Sequence, residues 1–174
     1  MASPSSNHFE LFGLPTSFRI DADALDRAYR ALQAQVHPDR HTGGNDVERR
    51  IAMQTSTRVN AAYQALKDPI ERARYLLQLR GIDALDETDT RLSTEFLEQQ
   101  LTRRERAAEA ADTENVASLD EILAEVRGEI RARQEQLAEL LETDATEPAR
   151  DAVRELRFLA KVAADVESML AALD

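Results

Sequence analysis

The residues of this chain best suited to chemistry lie in one short segment, His37-Pro38-Asp39, with a second histidine at His41. A histidine near an aspartate could serve as a general base in hydrolysis, and His37, Asp39 and His41 could ligate a metal. No fourth ligand or candidate nucleophile in a glycine-rich turn accompanies them. A third interpretation is structural, because proline disfavours helical geometry in the residue before it. Taken alone, the triplet is best read as a helix stop.

Two amphipathic helices must flank this segment. Between Asp23 and Val36, apolar residues recur at spacings of four, three and four, which places them on one stripe of a helix. After turn-forming residues at 42–45, a second helix is predicted from about Asp46 until Asp68-Pro69 ends it. The triplet is therefore expected in the loop between two antiparallel helices. Their predicted core-facing residues are Leu25, Tyr29, Leu32, Val36, Ile51, Thr55, Val59, Ala62, Tyr63 and Leu66.

The rest of the chain predicts a second unit of a different electrostatic character. A helix starting at Pro69 closes a first unit over residues 8–80, and an aspartate- and threonine-rich segment at 81–92 is the candidate linker. Three amphipathic helices over 93–174 predict a bundle, so the fold class is all-α. The second of them is predicted to start at Ser118, where residues 118–121 match a capping box, and the third at Thr146, just before Pro148. Residues 1–80 hold 11 basic and 9 acidic residues (+2), whereas residues 81–174 hold 11 and 24 (−13). Two surfaces with different partners are indicated.

Composition excludes several classes of function. The 174 residues include no cysteine, so a disulfide framework, a zinc ribbon and a cysteine-ligated cluster are excluded. A net charge of −11 argues against a non-specific nucleic-acid binder. No stretch is apolar enough to cross a bilayer, and residues 1–7 lack the features of an export or transit signal. We therefore expect a cytoplasmic protein without membrane or nucleic-acid partners.

The flanks of the triplet resemble a J-domain over its whole length. Residues 9–15 (FELFGLP) resemble its opening helix and turn, the helix to Val36 its second helix, and residues 59–69 (VNAAYQALKDP) the end of its third. Residues 70–81 (IERARYLLQLRG), Phe96-Leu97 and residues 156–159 (LRFL) are similar to the HscB subtype. The resemblance implies an L-shaped all-α protein, with an N-terminal J-domain helical hairpin and a C-terminal three-helix bundle.

That resemblance implies a partner rather than a reaction. HscB-type proteins act on an ATPase chaperone of the DnaK type, here its relative HscA, so we expect neither enzyme activity nor a cofactor or metal. The expected chaperone-binding residues are the loop triplet and basic residues near it. They are His37, Pro38, Asp39, Arg27, Arg30 and Arg40.

The same resemblance implies a second partner for the bundle, the iron–sulfur scaffold protein IscU. The expected scaffold-binding residues are Leu97, Leu101, Glu105, Glu109 and Phe158. The first four recur every four residues along one helix, and Phe158 lies beside Val162, off the main apolar stripe of the last helix. The remaining alternatives are a general J-domain co-chaperone for unfolded clients and a His-dependent metal or hydrolytic protein.

Overall fold

A computed structural model describes residues 7–36, 46–85 and 92–173 of the chain. Within these ranges it contains seven helices and no strand, which confirms the all-α prediction. The chain divides into two compact units, Met1–Leu76 and Leu77–Asp174. The helices are α1 (His8–Leu11), α2 (Ala22–Val36), α3 (Asp46–Lys67), α4 (Pro69–Leu79), α5 (Thr94–Asp112), α6 (Val116–Glu142) and α7 (Thr146–Ala171).

The first unit is built on an antiparallel hairpin of α2 and α3. Asp26 accepts a hydrogen bond from the Tyr63 hydroxyl (2.8 Å), and the Tyr29 hydroxyl donates to Asn60 (3.0 Å), so the pairing runs in opposite directions along the two helices. The rings of Tyr29 and Tyr63 stack with centroids 3.9 Å apart. Leu25 is buried beneath this line of contacts. The register of the hairpin is therefore fixed by specific polar and aromatic contacts.

Helix α1 packs on α3 and also contacts α4. Phe9 of α1 is completely buried, and its neighbour His8 stacks on Tyr75 of α4 with ring centroids 4.0 Å apart. Ile51 is exposed, so the prediction that it faces the core is wrong. The buried residues of α3 are Ala52, Val59, Ala62, Tyr63 and Leu66.

The second unit is dominated by the long α6–α7 hairpin. Helix α6 begins at Val116, two residues before the predicted start, because the Asn115 side chain caps it by accepting from the Ser118 amide (3.1 Å). Helix α7 begins at Thr146, as predicted. The two helices bury branched aliphatic side chains against each other along their length, which makes this hairpin the apolar centre of the unit. They include Leu119, Ile122, Val126, Leu137, Leu141, Val153, Leu156, Leu159 and Val166.

Two arginine side chains form hydrogen bonds between the segment that follows α4 and the α6–α7 hairpin. The Arg80 guanidinium donates to the Leu141 carbonyl (2.8 Å), and the Arg154 Nε donates to the Ala84 carbonyl (3.0 Å). Ala84 is fully buried. This part of the predicted linker therefore packs on the bundle, and the Ala84 carbonyl accepts from Arg154 a hydrogen bond that water would otherwise supply.

Glu155 on α7 makes the stability of the second unit depend on pH. Burial raises the pKa of its carboxyl, as do the nearby Glu129 and Asp151, while Arg133 opposes them from 3.1 Å. A raised pKa means that the folded state holds the proton more tightly than the unfolded state. The contribution of Glu155 to the free energy of unfolding is therefore fully present below the usual pKa of 4.5. It is lost as the pH rises through the pKa of Glu155 in the folded protein.

We expect Glu155→Gln to remove this part of the pH dependence. The free energy of unfolding of the wild type, minus that of the variant, should fall as the pH rises from about 4.5 towards neutrality. Urea denaturation at several pH values measures it, with Glu139→Gln, an exposed position on α6, as the control. A difference that rises or stays flat across this range would contradict the assignment.

Candidate functional site

The predicted chaperone-binding residues divide into a loop and a helical part. His37, Pro38, Asp39 and Arg40 lie outside the described residues, between the end of α2 at Val36 and the start of α3. The α2–α3 hairpin that brackets this segment is present as predicted. A contact role for the four residues stays a prediction.

The helical part consists of Arg27 and Arg30, both exposed on α2. Arg27 has a nitrogen 3.8 Å from an Asp21 carboxylate oxygen, and both side chains are more than half exposed (65% and 63%). Such a loose surface pair contributes little to stability and can exchange for another acidic partner. Asp26, between the two arginines, is engaged by the Tyr63 hydroxyl. Asp21, Asp23 and Asp26 lie close to these two cations in the sequence and dilute their positive field, so this face should steer a partner only weakly.

The predicted scaffold-binding strip lies on the outer face of α5. Leu97 is 44% exposed and Leu101 is 60% exposed, and Glu105 and Glu109 continue the strip as exposed carboxylates. The structure thus brings these four residues to one helix face, with apolar side chains at one end and acidic ones at the other. Large apolar side chains left exposed on a regular helix are typical of a surface that a partner covers.

Phe158 borders this strip from α7. It is partly buried, and its ring meets Phe96 in an edge-to-face contact with centroids 5.7 Å apart and planes 78° apart. Because Phe96 precedes Leu97, Phe158 packs against the turn of α5 where the strip begins. Val162, predicted to lie off the apolar stripe with Phe158, is instead buried. Helix α7 packs against both α5 and α6, so its buried face is wider than one stripe.

Phe158→Ala should therefore destabilise the second unit. Removing a partly buried ring that packs on Phe96 is expected to lower the free energy of unfolding by about 2 kcal/mol, less than the 3–5 typical of a fully buried phenylalanine. Urea denaturation measures this loss. Phe158→Leu, which retains most of the apolar volume, should recover at least half of it, and equal losses for both variants would show that the ring contact is unimportant.

Sequence reasoning missed a polar contact beneath the strip. Gln100 of α5 is only 1% exposed, and its side-chain oxygen accepts from Arg103 (2.6 Å), which also pairs with Glu129 of α6 (2.8 Å). The signal was available, because Gln100 and Arg103 interrupt the apolar series of α5 between Phe96 and Ala107. The spacings of four, three and four from Phe96 to Ala107 place both polar residues on the buried face, but the partner that accompanies their burial, Glu129, lies on another helix.

Two negative observations apply to the described ranges. In those ranges no group of three or more His, Cys, Asp or Glu side chains is arranged to hold a metal ion. None of the helices described is long and apolar enough to cross a membrane.

Comparison with known families defines the class of protein. The family model "DnaJ domain" matches residues 7–75, and "HSCB C-terminal oligomerisation domain" matches residues 92–167. The first match covers α1 to α3 and most of α4, and the second covers α5, α6 and most of α7. The chain is thus a J-domain protein with a helical C-terminal domain.

Full-length relatives define the family within that class. The chain is 48% identical to the co-chaperone protein HscB homolog of Paraburkholderia xenovorans, over 100% of this chain and 99% of the relative. It therefore belongs to the HscB co-chaperone family. Chaperone HscB from Vibrio cholerae superposes with a TM-score of 0.89 at 35% identity, covering 97% of this chain and 100% of that one. Human co-chaperone protein HscB gives a TM-score of 0.89 at 30% identity, covering 95% and 83%.

Proposed function

We propose that this protein stimulates the ATPase of an HscA-type chaperone of the DnaK class and delivers an IscU-type scaffold to it during iron–sulfur cluster maturation in the cytoplasm. The observation that carries the proposal is the pairing of two features in one chain. One is the hairpin that brackets His37-Pro38-Asp39, and the other is the exposed apolar and acidic strip on α5. Membership of the HscB family supports both halves.

The protein would act through binding alone. It supplies no reacting group to the ATPase, and instead favours one conformation of the chaperone through differential affinity. Arg27 and Arg30 would help to orient an acidic face of the chaperone, and exposed charges of this kind mainly affect the association rate. That contribution should weaken as the salt concentration rises.

The bundle would hold the scaffold by a mixed contact. Leu97, Leu101 and the exposed edge of Phe158 would supply apolar anchors, and Glu105 and Glu109 would pair with basic groups of the scaffold. Carrying both partners on one chain raises the effective concentration of scaffold at the chaperone. Delivery is therefore a consequence of tethering and needs no further chemistry.

The proposal is tested by the ATPase rate of the chaperone with scaffold alone, with this protein alone, and with both. We expect the two together to stimulate more than the sum of their separate effects. Additive rates would show that the protein does not deliver the scaffold, and no stimulation by this protein alone would overturn the chaperone half of the proposal.

A second candidate is a general co-chaperone whose bundle binds unfolded clients, which the exposed Leu97 and Leu101 also favour. The two functions predict different outcomes when an extended peptide competes with the scaffold for the strip on α5. An extended apolar peptide in excess should leave scaffold binding unchanged if the strip recognises a folded partner. Displacement of the scaffold by such a peptide would support the general co-chaperone instead.

A further inference from the structure

Helix α5 is attached to the second unit differently from the other two helices. Its buried residues are Phe96, Gln100, Ala107 and Ala110, so it contributes only one large apolar side chain at full burial. Alanine buries little surface, and the hydrophobic stabilisation scales with the apolar area removed from water. The α6–α7 hairpin, by contrast, is lined with leucine, isoleucine and valine.

The middle of the α5 contact is polar and incompletely satisfied. The side-chain oxygen of Gln100 accepts from Arg103, but its amide nitrogen is buried without a hydrogen-bond partner. An unpaired buried donor loses its hydration without compensation, which destabilises the packed state. Arg103 and Glu129 are also largely buried, with 13% and 20% of their side chains exposed. The cost of removing both charges from water offsets much of the electrostatic attraction between them.

The remaining charged contacts of α5 are exposed. Arg106 makes two hydrogen bonds to Glu125 of α6 (3.0 and 3.1 Å), and Arg104 lies 3.6 Å from Asp165 of α7. Both pairs are about half exposed. Exposed pairs contribute little and are screened by salt. Three arginines of α5 thus reach across to its neighbours, and the two exposed pairs, those of Arg104 and Arg106, should weaken as the ionic strength rises.

We propose that α5 is a releasable helix, which opens from the α6–α7 hairpin without unfolding it, and that the buried Gln100–Arg103–Glu129 contact keeps its attachment weak. Local opening of this kind is expected where buried apolar contacts are few. Most of the stability of a helix in a protein comes from tertiary packing of its amphipathic face, so a released α5 should lose much of the protection of its own backbone hydrogen bonds. Release of α5 would expose its backbone amides to exchange with solvent, whereas the amides of the α6–α7 hairpin would stay protected.

The consequence for recognition rests on the proposed function. Leu97 and Leu101 point outward from the same helix whose inner face carries Gln100 and Arg103. Release of α5 would dismantle the scaffold-binding strip, and a bound scaffold would hold α5 in place by mass action. The strip could then be lost and regained without loss of the rest of the second unit.

Amide hydrogen exchange of the free full-length protein tests the proposal and needs no partner. We expect amides in the middle of α5, between Gln100 and Ala107, to exchange at least tenfold faster than those around Leu123 and Leu156. Raising the salt concentration should accelerate exchange in α5 and leave the hairpin unchanged. Equal rates in all three helices would overturn the proposal.

Two variants test the role of the buried amide. Gln100→Leu replaces the unsatisfied group by an apolar one of similar size, so exchange in α5 should slow at least fivefold. Glu129→Gln removes the charge that faces Arg103, so exchange in α5 should accelerate. If Gln100→Leu leaves α5 unchanged, or alters the α6–α7 hairpin equally, the buried contact does not control release. Because scaffold is absent, failure here is distinguishable from failure to bind the scaffold.

Discussion

His37→Gln is expected to reduce the ATPase rate of an HscA-type chaperone, measured with saturating co-chaperone, to the rate of the chaperone alone. His37 and Asp39 offer hydrogen-bonding groups beside Pro38, whose ring fixes one backbone angle, so little conformational entropy is lost on docking. Glutamine retains a polar side chain but not the imidazole. Steady-state phosphate release over a range of co-chaperone concentrations measures the effect.

The matched control for this variant is Gln64→Ala, an exposed position on α3 of the same unit. It should stimulate as well as the wild type, and the circular dichroism of both variants should match that of the wild type. Equal stimulation by His37→Gln and wild type would refute the role given to the loop.

The double variant Leu97→Ala/Leu101→Ala should weaken binding of the IscU-type scaffold by at least about tenfold. Truncating an apolar anchor at the centre of an interface typically costs about 2 kcal/mol or more, and tenfold in affinity corresponds to about 1.4 kcal/mol. Both side chains are substantially exposed, so their loss should leave the free energy of unfolding within about 0.5 kcal/mol. Isothermal titration calorimetry measures the affinity.

Val116→Ala provides the matched control, because Val116 is an apolar residue of the same unit that is 42% exposed and lies on α6 rather than on the strip. Its affinity for the scaffold should equal that of the wild type. The double variant should also stimulate the chaperone normally when scaffold is absent. Undiminished scaffold binding by the double variant would remove α5 from the interface.

Helix positions could be predicted from the sequence because the signals that set them are local. Apolar spacing placed α2 and α3, and Pro69 marked the start of α4. The start of α6 was misplaced because both Asn115 and Ser118 can cap a helix, and only the backbone geometry decides between them. Ile51 lies in the first turns of α3, and apolar spacing does not show how far along a helix its packed face extends.

The sequence allowed the exposed residues of the candidate site to be predicted, but not its buried polar contacts. Outward residues such as Leu97 and Leu101 can be identified because the family resemblance marks them and helical spacing keeps them together. The polar contact of Gln100 and Arg103 was not identified in advance, because burial of polar groups depends on partners such as Glu129 from another helix. The environment of Phe158 likewise depends on Phe96, 62 residues earlier in the sequence.

The stacked tyrosines of α2 and α3 allow unfolding of the first unit to be followed by intrinsic tyrosine fluorescence. The chain has no tryptophan, and its three tyrosines, Tyr29, Tyr63 and Tyr75, all belong to the first unit. Intrinsic tyrosine emission therefore follows the J-domain alone, whereas far-ultraviolet circular dichroism follows the helices of both units. A denaturation in which the two signals separate would reveal, without any label, that one half of the chain melts before the other.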